Sequence, residues 1–294
     1  MISIQNDILE ARFTAWRAEL VALRDHRHGR DFLWNGDPAV WKGHAPILFP
    51  IVGMVPADSV AINGRPYTLR QHGFAPTSTF EIVQSAPTTC AFRLVSSPET
   101  LAAYPFDFSL DIVYALEGAT LSMLATVSNR SAMEMPFSFG FHPGFCWPLP
   151  GAGPRDRHAL EFAEDERSPI RRPLNGLLDP ALHPTPVAGR TLALSDDLFE
   201  QGAVMFDQLA SRSLRFGTER GPSLEIEWRN LPHLGIWSRP GAGYLCIEPW
   251  QGYSALPDFD GELSAKPGTV LLEPGTIRDF SMRVTIADQP SERS

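Results

Sequence analysis

Apolar and polar positions alternate with a period of two along extended parts of this chain. Phe106, Phe108, Leu110, Ile112, Tyr114 and Leu116 take every second place before Glu117-Gly118, and Leu121, Met123, Ala125 and Val127 do so after it. Successive side chains of a strand point to opposite faces, so each run gathers its large residues on one face. Gly118 admits the positive φ of a tight turn, and the segment predicts a β-hairpin. Leu224, Ile226 and Trp228 alternate with Ser223, Glu225 and Glu227, and Phe280, Met282, Val284 and Ile286 with Ser281, Arg283 and Thr285. These predict further half-buried strands. One segment breaks the pattern: Phe13, Trp16, Leu20 and Leu23 recur at helical spacing within Ala11 to Asp25. Periodicity alone predicts an amphipathic helix there.

The 27 prolines and 23 glycines are spread through the 294 residues and leave little room for long helices, so the architecture read from pattern is all-β, a many-stranded sandwich. With no internal repeat and no composition break, residues 1–288 read as a single domain and residues 289–294 as a flexible tail. A net charge of −9 without a Lys/Arg stripe argues against nucleic acid and for a neutral or weakly polar small ligand. No apolar run reaches membrane-spanning length. The N-terminal segment carries Asp7, Glu10, Arg12, Arg17 and Glu19 and lacks the apolar core of a secretory signal. Cys90, Cys146 and Cys246 are odd in number, far apart and without zinc-site spacing, which fits buried thiols in a reducing cytoplasm.

Three segments concentrate aromatics, glycine and one ionisable group: Gln71-His72-Gly73-Phe74, Gly140-Phe141-His142-Pro143-Gly144-Phe145, and Cys246-Ile247-Glu248-Pro249-Trp250-Gln251-Gly252. Each reads as a strand ending in a turn that projects its ionisable side chain into a cleft. His142 has Phe141, Phe145 and Trp147 near it in sequence, a desolvating wall and a flat surface on which a ligand can stack. Glu248 lies among Leu245, Cys246, Ile247, Pro249 and Trp250, where an ionised carboxylate needs a partner or a raised pKa, the setting of a general base. His26, His28, His158, His183 and His233 read as surface or hydrogen-bonded imidazoles. The His26-x-His28 pair sits among arginines, and no metal is expected. Nucleotide-binding glycine loops and a serine-nucleophile elbow are absent from the sequence, and no cofactor is expected.

In order, Leu48-Phe49-Pro50-Ile51-Val52-Gly53, Gln71-His72-Gly73-Phe74-Ala75, Gly140 to Phe145 and Ile247 to Gly252 resemble the aldose 1-epimerase, or galactose mutarotase-like, family. The resemblance spans roughly Ile4 to Ile286. It implies a large galactose mutarotase-like β-sandwich, or supersandwich, with a sugar on its concave face. It also implies strands around a turn at Phe13 to Leu23, against the helical spacing. By resemblance Glu248 is the general base that takes the anomeric hydroxyl proton, His142 the acid that protonates the ring oxygen, and His72 a hydrogen-bonding partner near that oxygen. Activity is then expected to fall at low pH as Glu248 protonates and at high pH as His142 loses its proton. Trp237 or Trp250 would stack on the sugar, and Arg70 and Asp207 would bind it.

This sequence departs from the family in places. Met54 and Pro76 stand where relatives commonly carry arginines that help hold phosphate, which argues against a phosphosugar. A sugar-binding aspartate of the family falls near Gly202, with Asp207 or Asp197 as stand-ins. Two other functions fit the same fold: non-catalytic sugar binding or sensing, and glycoside processing. The latter usually requires two carboxylates flanking the bond, and only Glu248 is placed by motif.

Overall fold

A computed structural model gives the fold for residues 1–288; the expected tail at 289–294 lies outside these described residues. Three antiparallel sheets dominate, of four, nine and six strands. The predicted hairpin forms the middle of the nine-stranded sheet, with Phe108–Glu117 paired to Thr120–Asn129 in register from Phe108↔Asn129 to Glu117↔Thr120. Every residue expected on its inner face is buried. Ser223–Arg229 and Ile277–Ala287 pair with each other and extend the same sheet, again with the apolar alternates inward. Among the described residues the one α-helix is the short Pro98–Ala103 segment.

The stretch at 11–25 is β, as the family resemblance implies, and the helix that its spacing predicts does not form. Leu9–Phe13 pairs with Leu20–Asp25 around a turn in which Arg17 and Ala18 take φ of 70° and 47°. A helix would place Trp16 on its buried stripe; instead Trp16 is 46% exposed at the turn. Phe13 packs its ring 4.3 Å from that of Tyr114, and Glu19 accepts the backbone N–H groups of His44 and Ala45. Long-range packing decides the conformation here.

The six-stranded sheet packs across the nine-stranded one through aromatics. Phe139 stacks on Phe280 at 4.9 Å, Phe49 meets Phe108 at 5.0 Å, and Phe162 meets Phe206 at 5.5 Å. Its inner face therefore belongs to the core and its outer face is free to carry a site.

Candidate active site

The Tyr244–Gln251 strand runs through the six-stranded sheet and is buried on both faces except at its last residue. Leu245 and Ile247 join the main core, so by alternation Cys246, Glu248 and Trp250 project from the outer face. Gly140 lies opposite Trp250 on one neighbouring strand, and Gly235 opposite Glu248 on the other. A Cβ on Gly140 would stand 2.5 Å from the Trp250 ring, and one on Gly235 would stand 2.5, 2.7 and 3.0 Å from three of its ring atoms. The indole thus lies flat over two bare backbones and floors a cavity.

That cavity, about 250 Å³, is lined by His72, His142, Trp237, Glu248 and Trp250, with Gln71 and Ser254 at its edge and Met205, Ala203 and Pro173 as an apolar wall. It falls just below the roughly 300–1,000 Å³ range of drug-sized ligand sites. His142 Nε2 is 3.0 Å from Glu248 Oε2, yet Oε2 makes no hydrogen bond, and neither does His142 Nδ1. The pair is in reach but not aligned, which leaves polar atoms free for a ligand.

Burial sets the charge of these groups. It pushes the Glu248 carboxyl well above its usual range and brings His142 down to about 4. His72 falls to about 3, through burial first and then the repulsion of His142 and Lys266. The neutral His72 ring has a fixed tautomer. Gly53 N–H can only donate, and it donates to Nδ1 at 3.1 Å, so the ring proton resides on Nε2. The Gln71 side-chain amide lies 3.3 Å from that Nε2. His72 holds this orientation on a backbone φ of 64°, the kind of strained position that clusters at functional sites.

The structure thus gathers His72, His142, Glu248, Trp237 and Trp250 around one cavity. It does not bring Arg70 or Asp207 there. Arg70 is exposed beside a separate depression formed with Leu69, Phe74 and Ala103, because the turn into His72 directs it outward. Asp207 accepts the Arg171 guanidinium at 2.9 Å, so its charge is already answered; Asp197 is exposed in the Asp196–Phe199 turn. Gly202 itself packs on Pro173, where a Cβ would stand 2.5 Å from the proline ring. His158 and His233 are structural, each accepting a backbone N–H, from Leu149 and Gly252.

Two residues escape the sequence reading. Trp41 lies 5.3 Å ring to ring from His142 and 5.7 Å from Trp237, steadying both; a lone tryptophan between Val40 and Lys42 gives no sign of that contact. Lys266 is 2% exposed, donates to the Val52 and Tyr253 carbonyls, and is lowered to about 7 by burial. It ties together the two loops that supply Gly53 and Ser254 to the cavity.

A family model described as aldose 1-epimerase matches residues 1–285. Protein LacX (chromosomal) of Lactococcus lactis subsp. lactis is 30% identical over 97% of this chain and 99% of its own. The structure of a galactose mutarotase related enzyme from Lactobacillus acidophilus superposes with a TM-score of 0.90 at 30% identity, covering 99% of each chain. A galactose mutarotase-like protein from Lactobacillus casei ATCC 334 gives a TM-score of 0.91 at 27% identity, over 98% of this chain and 100% of that one.

Proposed function

The chain belongs to the aldose 1-epimerase family, and from that premise we propose that it interconverts the α and β anomers of a free aldose by acid/base opening and reclosure of the ring. The observation that carries the reading is the His142–Glu248 pair, 3.0 Å apart at the wall of a monosaccharide-sized cavity. In ring opening Glu248 takes the proton from the C1 hydroxyl while His142 delivers one to the ring oxygen. The C1–O5 bond breaks, C1 becomes an aldehyde, rotation about C1–C2 exposes its other face, and reclosure reverses both proton transfers.

Proton bookkeeping supports the pairing. Before opening the single proton of the pair is on His142, and after opening it is on Glu248, so the reaction takes up and releases none. The neutral form, with Glu248 protonated, is the one that burial favours. Sugar hydroxyls donating to the Glu248 carboxylate offset the cost of the charged form. His72 Nε2–H serves as a donor toward the ring oxygen, Trp250 floors the apolar sugar face, and Trp237 walls it.

The test is anomer exchange followed by proton exchange spectroscopy or optical rotation over several free aldoses. Glu248→Gln and His142→Asn each keep shape and remove proton transfer, and each is expected to lower the rate by about 10²–10⁴-fold with thermal melting unchanged. Full activity in Glu248→Gln would overturn the mechanism. Sugar binding by the wild type with no acceleration would replace it with a carbohydrate-binding role.

A further inference from the structure

We propose that His142, Cys246 and Glu248 form a three-ligand site for a thiophilic divalent cation of the zinc class, whose reversible binding shuts the cavity's proton transfer down. Cys246 and Glu248 are two apart on one strand and share its outer face, and His142 leaves the adjoining Phe139–Phe141 strand beside them. One ligand atom from each, imidazole nitrogen, thiol sulfur and carboxylate oxygen, lies within 4.8 Å of the other two. Around tetrahedral zinc such atoms stand roughly 3.3–3.6 Å apart, so the widest gap closes by about 1 Å.

A second observation points to a ligand independently of the cysteine. Glu248 is 2% exposed and its Oε2, which faces the cavity, has no hydrogen bond. Buried polar atoms are ordinarily satisfied, so an orphaned carboxylate oxygen here marks a missing partner. A sugar hydroxyl answers Glu248, but ring opening gives the Cys246 thiol nothing to do. A cation engages the Glu248 carboxylate, the Cys246 thiol and His142 Nε2 together. The mixed S, N, O donor set suits zinc and excludes magnesium and calcium, which take oxygen cages. The fourth position opens on the cavity that His142 and Glu248 line.

The same geometry limits the affinity. Metal-bound histidines ordinarily anchor their second ring nitrogen, a contact worth about 10–100-fold in binding, and with Nε2 toward the metal His142 Nδ1 has no such anchor. The site is therefore one of reversible occupancy. Binding releases the thiol proton and the one proton of the pair to solvent. Inhibition follows because the cation occupies the lone pairs of both proton carriers; that half rests on the function proposed above, and the binding half does not.

The experiment titrates Zn²⁺ against a chromophoric chelator and follows anomer exchange in parallel. One Zn²⁺ per chain is expected, displaced by excess aldose, with matching loss of activity and no effect of Mg²⁺. Cys246→Ser should weaken Zn²⁺ about tenfold or more while metal-free exchange is retained, with Cys246→Ala as the second variant should serine disturb packing. A surface cluster of Asp25, His28 and Asp288 is the competing site. Undiminished zinc binding in both Cys246 variants, its loss in His28→Ala, or no binding at all would overturn the proposal. Zinc binding lost with Cys246 in a protein that shows no anomer exchange would uphold the site and retire only the inhibition.

Discussion

Burial, more than any neighbouring charge, decides what His142 and Glu248 can do, and this changes the pH dependence that the sequence suggests. Exposed groups would titrate at their usual values, Glu248 losing its proton near 4.5 and His142 near 6.5. Burial disfavours both charged forms, so the second proton reaches His142 only near pH 4, and Glu248 gives up the pair's last proton well above the carboxylate range. The acid limb then belongs to protonation of His142 and the alkaline limb to deprotonation of Glu248, the reverse of the expectation from isolated residues. For a coupled pair the two limbs report the pair as a unit. Anomer exchange should therefore stay level as pH rises from the fall near 4 and decline only where Glu248 loses its proton, above the usual carboxylate range. A rate profile with half-maxima near the two ordinary values would show that the pair is solvated and uncoupled. The catalytic candidates were visible in sequence because each sits in a short apolar, glycine-containing motif. Trp41 was invisible because its contact with His142 spans a hundred residues of chain, and Arg70 misled because a place beside His72 in sequence is not a place beside it in space.

Among the elements, period-two alternation identified the Phe108–Glu117 and Thr120–Asn129 hairpin and its neighbours, since a sheet with one face on the core imposes that pattern. It says less about Tyr244–Gln251, which is buried on both faces and so reads as a continuous apolar run. The helical spacing at 11–25 misleads for a related reason: a strand pair joined by a turn can place four large residues at the same offsets. Flat seating of Trp250 on Gly140 and Gly235 is a property of three adjoining strands, and it yields a sharp expectation. Gly235→Ala puts a methyl group 2.5 Å from an indole that the Gly140 backbone already confines. Overpacking of this kind typically costs about 1–3 kcal/mol, and the displaced ring intrudes on the cavity. Both a lower melting temperature and a lower kcat/KM are expected; a variant that melts and turns over like the parent would show that the indole is free to move.

At the scale of the molecule, charge and cavity together select the ligand. The chain carries a net −9, and among the described residues no lysine or arginine lines the cavity. The nearby cation, Lys266, is buried with its ammonium group on the Val52 and Tyr253 carbonyls. Arg171 is engaged by Asp207, and Arg70 is exposed elsewhere. Met54 packs beneath Gly176, and Pro76 lies within the Ala75–Thr77 turn, so neither position offers a donor to an anion. A phosphate ester brings about −1.5 to −2 charges near neutral pH, and desolvating them without a guanidinium or ammonium partner is strongly unfavourable. Free glucose should accordingly exceed glucose 6-phosphate in kcat/KM by at least about tenfold, a difference of about 1.4 kcal/mol. Raising ionic strength screens the long-range repulsion from the net charge but not the missing contact, so the preference should narrow without reversing. Comparing the two sugars by anomeric exchange at low and high salt measures both terms. Equal or better turnover of the ester would mean that a cation outside the cavity, Arg70 or Arg171, swings in when phosphate binds.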